Sequence, residues 1–239
     1  MDGRMRAGLM ATLAVVTAAA LAPGASAQES SPAPGLLGAD TEVFRDDLSA
    51  PSVWEEISDD TGATAYADGR LVMSVIADGS NVWDDLELDA PADVLRVEAW
   101  VATTGDGMAG VACGSSLGVP RWLWAGTDGA MGWLVGRMID GRLQLIDRGD
   151  LPIEVDGRHV TLAIECASSP AEGGDHAVIT ANGIPVATLF DIPVGPYGAA
   201  TLIVGADAPP VEALFDDILV HTGVTYVAPT ADLLASPEP

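Results

Sequence analysis

The residues of this 239-residue chain best suited to chemistry gather between positions 121 and 148. Trp122, Trp124 and Trp133 stand close in sequence to Arg137, Gln144 and Arg148. An indole covers the apolar C–H face of a pyranose, while arginine and glutamine donate fixed hydrogen bonds to hydroxyls or to a carboxylate. Two Asp-Gly pairs predict how these side chains meet. A two-residue turn at Asp128-Gly129 places Trp124 opposite Trp133 and Trp122 opposite Val135. A second at Asp140-Gly141 places Arg137 opposite Gln144, Val135 opposite Ile146 and Trp133 opposite Arg148. Alternation then puts all six polar and aromatic candidates on one face, with Leu123, Leu134, Met138, Leu143 and Leu145 on the other. Two readings of the first face stand: an open ligand-binding surface, or a packed surface in which Trp124 and Trp133 are a cross-strand pair. Trp54, Trp83 and Trp100 stand singly and read as packing residues.

Several other chemistries are excluded or unsupported. All 10 basic residues are arginine, so a P-loop lysine and Schiff-base chemistry are absent. A formal net charge of −25 opposes binding to nucleic acid or an anionic membrane, which needs a basic face that releases counterions. Gly114-Ser115-Ser116-Leu117-Gly118 matches the nucleophile-elbow spacing, but it leads to Val119-Pro120 and another strand rather than to the helix that motif requires. His159 and His176 have no partner visible in the sequence, and with His221 and two cysteines they show no zinc-ligand spacing. Asp85, Glu87 and Asp89 alternate along one strand, which reads as the wet side of an edge strand or a line of carboxylates.

The elements that must position these residues follow from the turns. Residues 1–27 read as a secretory signal: Arg4 and Arg6 precede an uncharged apolar run, and Ala25-Ser26-Ala27 suits cleavage after Ala27. Cleavage leaves 34 acids and 8 bases, a net of −26. Export to an oxidising medium predicts a disulfide between the sole cysteines, Cys113 and Cys166. Residues 28–40 and 223–239 are rich in Pro, Ser, Gly and Ala and read as flexible ends. Between them, residues 41–222 carry a turn signal every 8 to 15 residues, among them Asp68-Gly69, Asp78-Gly79, Asp156-Gly157 and Asn182-Gly183, and no amphipathic helix. Ten or more short strands in one domain predict an all-β, two-sheet antiparallel β-sandwich of the jelly-roll kind.

The order VFRDDLSAPSVW, YADGRLVMSV, GVAC, TDGAMGWLV, VTLAIEC, ITANGIPV and ALFDDILV resembles that of concanavalin A-like lectin and glucanase jelly rolls. It is most similar to bacterial extracellular laminin-G-like or 3-keto-disaccharide hydrolase-like modules. The resemblance implies pairing of the first and last strands and a role in carbohydrate binding or processing. That pairing would bring Asp46-Asp47 beside Asp216-Asp217; Asp47 and Asp216 are the candidate ligands for a structural Ca²⁺, against the alternative of solvated strand-end acids. One large class of jelly-roll glucanases carries E-x-D-x-x-E on one strand, and the nearest match here, Glu154-Val155-Asp156-Gly157-Arg158-His159, has an Asp-Gly turn in its middle and histidine in place of the last acid. The sequence therefore predicts a secreted, non-catalytic carbohydrate-binding or adhesion module whose partner is a glycan or polysaccharide, with no nucleic-acid partner and no membrane insertion after signal cleavage. The rivals are a glycoside or 3-keto-disaccharide hydrolase on the same fold, and a structural envelope or protein-interaction module.

Overall fold

A computed structural model describes residues 36–104, 107–115, 122–129, 132–139, 142–152, 159–168, 175–190, 195–206 and 208–224. The signal-like segment, most of the C-terminal tail, the Asp140-Gly141 and Asp156-Gly157 turns and most of the Gly114–Gly118 motif lie outside the described residues. Among these residues fifteen strands occur in chain order. The first seven are β1 (Thr41–Asp46), β2 (Ile57–Ser58), β3 (Gly62–Ala67), β4 (Arg70–Val75), β5 (Ser80–Ala92), β6 (Val94–Thr104) and β7 (Gly107–Ser115). Then come β8 (Trp122–Thr127), β9 (Gly132–Ile139), β10 (Arg142–Asp150), β11 (His159–Ala167), β12 (His176–Ala181), β13 (Ile184–Leu189), β14 (Tyr197–Ala206) and β15 (Val211–Gly223). No helix occurs among the described residues.

The strands form two antiparallel sheets, as the turn spacing predicts. One has nine strands in the order β13-β12-β11-β6-β15-β4-β3-β2, with β1 added on β15; the other has six, β10-β9-β8-β7-β14-β5. The first and last strands do pair, Asp46 facing Ile218 and Thr41 facing Thr222. Two hairpins close as their sequences dictate: Asp68 and Gly69 have φ of 52° and 72°, Asn182 and Gly183 of 49° and 76°. Positive φ at both central residues is what a type I′ turn requires.

Inward-pointing side chains of both sheets make one core. Val97, Ala99 and Val101 of β6, Leu162 and Ile164 of β11 and Phe215 of β15 meet Val111 of β7, Leu202 and Val204 of β14 and Leu123 of β8. Each fully buried aliphatic side chain there contributes about 1.5–3 kcal/mol of transfer free energy. The predicted disulfide is present: Cys113 on β7 is bonded to Cys166 on β11, tying one sheet to the other across the core.

The outer face of the nine-stranded sheet is partly covered by residues 36–39, part of the segment expected to be flexible. Glu165 of β11, fully buried, accepts hydrogen bonds from the backbone N–H groups of Leu36, Leu37 and Ala39 at 2.6, 2.8 and 2.9 Å. Leu37 and Ala39 pack on Val94, Ala167 and Val178. Arg96 lies between Glu98 (2.5 Å) and Glu165 (3.7 Å), so the buried carboxylate has a cation as well as three donors. Composition alone marked this segment as loose; three backbone donors on a buried charge hold its last residues.

Candidate functional site

The hairpin that was to build the site folds in a different register. Thr127 faces Trp133, Trp124 faces Gly136 and Trp122 faces Met138. A two-residue turn would have set Thr127 opposite Ala130, so the connection is three residues longer. Asp128 instead accepts the N–H of Gly132 on its carboxylate at 3.0 Å, and its own N–H donates to the Gly132 carbonyl at 3.3 Å. An odd shift reverses the faces of β9 relative to β8. Between β9 and β10 the expected pairing holds at its start, Arg137 facing Gln144 with Nε donating to Oε1 at 3.2 Å. An irregularity between Leu145 and Asp147 then moves Arg148 from Trp133 to Leu134.

The six candidates are therefore split rather than gathered. Trp133 belongs to the core between the sheets, on the same face as Leu123 and Val135. Arg137 and Gln144 share that inner face at its margin, by their pairing with Leu123 and with each other. Trp122, Trp124 and Arg148 lie on the outer face of the six-stranded sheet. There Trp122 and Trp124 cluster with Ala112, Met138 and Ile203, and they retain only 4% and 3% of their surface.

Small residues explain that burial. A Cβ on Gly136 would lie 2.6 Å from Cε2 of Trp124, so the Trp124 indole lies across the β9 backbone where no side chain stands. A Cβ on Gly114 would come 3.0 Å from Cδ1 of Trp122 and 3.1 Å from Ala199 Cβ. Over this floor of glycine and alanine, Trp122 reaches Trp83 of β5 edge-on, with ring centroids 5.2 Å apart at 62°. Indoles rooted three strands apart thus meet across the sheet.

Trp83, read from sequence as a packing residue, is 42% exposed. It is braced on one side and open on the other. Along β5 the same face carries Asn81, Asp85 and Glu87. Asp85 accepts a hydrogen bond from the hydroxyl of fully buried Thr201, the residue directly opposite on β14. Desolvation raises the Asp85 pKa, the Thr201 hydrogen bond opposes that rise, and the charge of Glu87 adds to it. Asn81 lies over Gly205, whose absent Cβ would stand 2.5 Å from the amide oxygen. The seven residues from Asn81 to Glu87, about 20 Å of strand, thus present an amide, an indole and two carboxylates in a row. The signal was legible: SNVWDDLE puts Asn81, Trp83, Asp85 and Glu87 at one parity. The carboxylates were read that way and the tryptophan beside them was not.

Asp47 and Asp216 turn to different partners. Asp47 accepts the N–H of Ser49 at 3.1 Å. Asp216 accepts the N–H of Asp217 at 2.9 Å and stands 3.4 Å from Arg70 Nε. No group of three or more His, Cys, Asp or Glu residues able to hold a metal occurs among the described residues. The two aspartates that the sequence offered for Ca²⁺ are thus engaged separately, one by a backbone N–H and the other by a backbone N–H and a guanidinium. Arg70 also lies over the Trp100 ring, 4.7 Å from its centroid, and Trp100 stacks with His159 at 6.0 Å on the outer face of the nine-stranded sheet.

No family model and no curated protein sequence matches the chain. Solved structures do. A prokaryotic β-1,3-1,4-glucanase (lichenase) from a mouse hindgut metagenome superposes with a TM-score of 0.54 at 12% identity, covering 77% of this chain and 100% of that one. A protein with a galectin-like fold from Bacillus subtilis gives 0.55 at 15% identity, covering 79% and 99%. The carbohydrate-binding module CBM66 from Bacillus subtilis gives 0.50 at 15% identity, covering 71% and 95%. The fold of this chain is accordingly the concanavalin A-like jelly roll that the order of its strand motifs resembles.

Proposed function

We propose that this chain is a carbohydrate-binding module whose ligand lies along β5 on the outer face of the six-stranded sheet, with Trp83 as its platform. The observation that carries this reading is the placement of Trp83: a half-exposed indole, braced by a buried one, in line with Asn81, Asp85 and Glu87. The free indole face suits the C–H face of a pyranose, and carboxylates and an amide beside it accept and donate the hydrogen bonds of flanking hydroxyls. Neighbours of the same fold described as a glucanase and a carbohydrate-binding module support a carbohydrate as the ligand class. A neutral polysaccharide suits a chain of net charge −25 better than an anionic one.

Affinity electrophoresis through gels containing neutral polysaccharides tests the proposal. The wild-type chain is expected to be retarded in at least one, and Trp83→Ala to run as in an empty gel while still unfolding in one cooperative transition, its lost contact with Trp122 costing about 0.5–1.5 kcal/mol. Unchanged retardation of Trp83→Ala would refute the placement.

Hydrolysis is the second reading, and one observation favours it. Asp85 and Glu87 stand two residues apart on one strand face, about 7 Å, within the separation that paired glycosidase carboxyls use, and Asp85 is shifted in the direction a general acid needs. Release of reducing ends by the wild-type chain that is lost in Asp85→Asn would convert the binding face into an active site.

A further inference from the structure

We infer that the open flank of the sandwich between β1 and β5 binds an extended, positively charged peptide segment of another protein. Among the described residues β5 is the outermost strand of the six-stranded sheet, and β1 pairs with no strand but β15. Among the described residues both strands therefore carry backbone groups with no strand opposite. The pairing of β5 is also interrupted on its inner side. Glu87 faces Ala199 and Ala92 faces Tyr197, so the single residue Gly198 stands against the four residues 88–91. On the facing wall the register of β1 shifts between Glu42 and Phe44.

Between these two walls lies a groove of about 500 Å³. Phe44, Leu86 and Leu88 line it and are only partly buried against the core, and Val43 at its rim is 49% exposed. Glu87 and Asp89 are its charged groups, and none of the lining residues is basic. An extended strand matches this surface in three ways. Its N–H and C=O groups pair with an open strand edge, one set of alternate side chains enters the apolar groove, and the other set reaches the carboxylates. Lysine or arginine in that second set is what the two carboxylates and the net charge of −25 select. The same field disfavours a second copy of this acidic chain. It also disfavours the residues after Val224, which contain Asp232 and Glu238 and no basic residue.

The test titrates the full chain, at low salt, with an acetylated and amidated octapeptide of alternating valine and lysine while backbone amide signals are followed. Saturable shifts confined to β1, residues 86–92 and residues 222–224 are expected. Val43→Lys, at a half-exposed position, is expected to bind at least about tenfold more weakly, equivalent to 1.4 kcal/mol. Should that variant fail to fold, Asp89→Asn supplies the same comparison. A peptide N-methylated at alternate residues, equal in charge but short of donors, is expected to bind as weakly as the variant, and a valine–glutamate peptide not at all. Trp83→Ala is expected to bind the valine–lysine peptide normally, which separates this surface from the proposed glycan face. Equal binding of the N-methylated peptide, shifts spread over the whole acidic surface, or no shifts would each overturn the inference. So would a dimer in sedimentation that Val43→Lys dissociates, which would assign the flank to a second copy.

Discussion

Asp84 and Asp85 are adjacent in sequence and point to opposite sides of β5, and their chemistry differs accordingly. Asp85 faces Thr201 on the outer sheet face, where a hydroxyl donor compensates its carboxylate. Asp84 shares the inner side of the strand with Val82 and Leu86, where it accepts the N–H of Glu55 at 2.7 Å and desolvation raises its pKa to about 6. A carboxyl whose folded pKa lies above its ordinary value of 3.8 binds protons more tightly in the folded chain. Between about pH 4 and pH 6 it therefore makes stability fall as pH rises, and above pH 6 the full cost of the buried charge is present. Asp84→Asn keeps an oxygen for the Glu55 N–H and removes that charge. The variant is expected to melt higher than wild type at pH 7.5, by about 1 kcal/mol because the group is partly solvated, and the advantage should vanish near pH 4. A difference in melting temperature that does not change with pH would contradict the assignment. The other polar decision at this scale, Glu165 on three backbone N–H groups, was invisible in the sequence. Nothing in VTLAIEC distinguishes a strand glutamate that faces water from one that receives a distant segment.

Register between strands is where the elements depart from their sequence. Within β8 and within β9 the alternation is as expected, and parity along a strand is a property of backbone geometry alone. Parity between strands depends on loop length, and Asp128-Gly129 names a turn without naming how many residues follow it. The extra three residues carried Trp133 into the core and left Trp122 and Trp124 outside, where only the glycines and alanines of neighbouring strands let them lie flat. Gly136 holds this arrangement. A Cβ there would stand 2.5 Å from the Gln144 carbonyl oxygen as well as against the Trp124 ring. Gly136→Ala is expected to destabilise the fold by about 1–3 kcal/mol, the usual cost of overpacking, with quenched or shifted tryptophan fluorescence as Trp124 is displaced. Thermal melting followed by that fluorescence checks both. By contrast, the hairpins at Asp68-Gly69 and Asn182-Gly183 were fully legible, because two consecutive positive φ angles are a local demand that those residue pairs meet.

For the molecule as a whole, the two sheets are cross-linked by one disulfide, between Cys113 and Cys166, 53 positions apart in sequence. In the chain-entropy account a loop of this length stabilises the fold by roughly 4 kcal/mol. The double variant Cys113→Ala/Cys166→Ala is expected to lose stability of that order in urea unfolding, with little change in the slope of the transition. A loss below about 1 kcal/mol would show that core packing alone holds the sheets together. Acids dominate the β5 edge and the groove beside it, with Asp85, Glu87 and Asp89 along one strand.

What the amino-acid sequence determined by itself is what local physics and counting decide. Closely spaced turn pairs dictated a strand-only sandwich, a single pair of cysteines left one disulfide to form, and period-two alternation set which residues of one strand share a face. Only the tertiary structure decided which strands share a face with which, because that depends on loop lengths and bulges that residue types do not encode. For this reason Trp133 lies in the core while Trp83 is the tryptophan that stands partly exposed on the outer face. An indole is buried or exposed according to what the neighbouring strands place beneath and beside it, and here glycine and alanine from β7, β9 and β14 buried two and left the third, on the edge strand, in water.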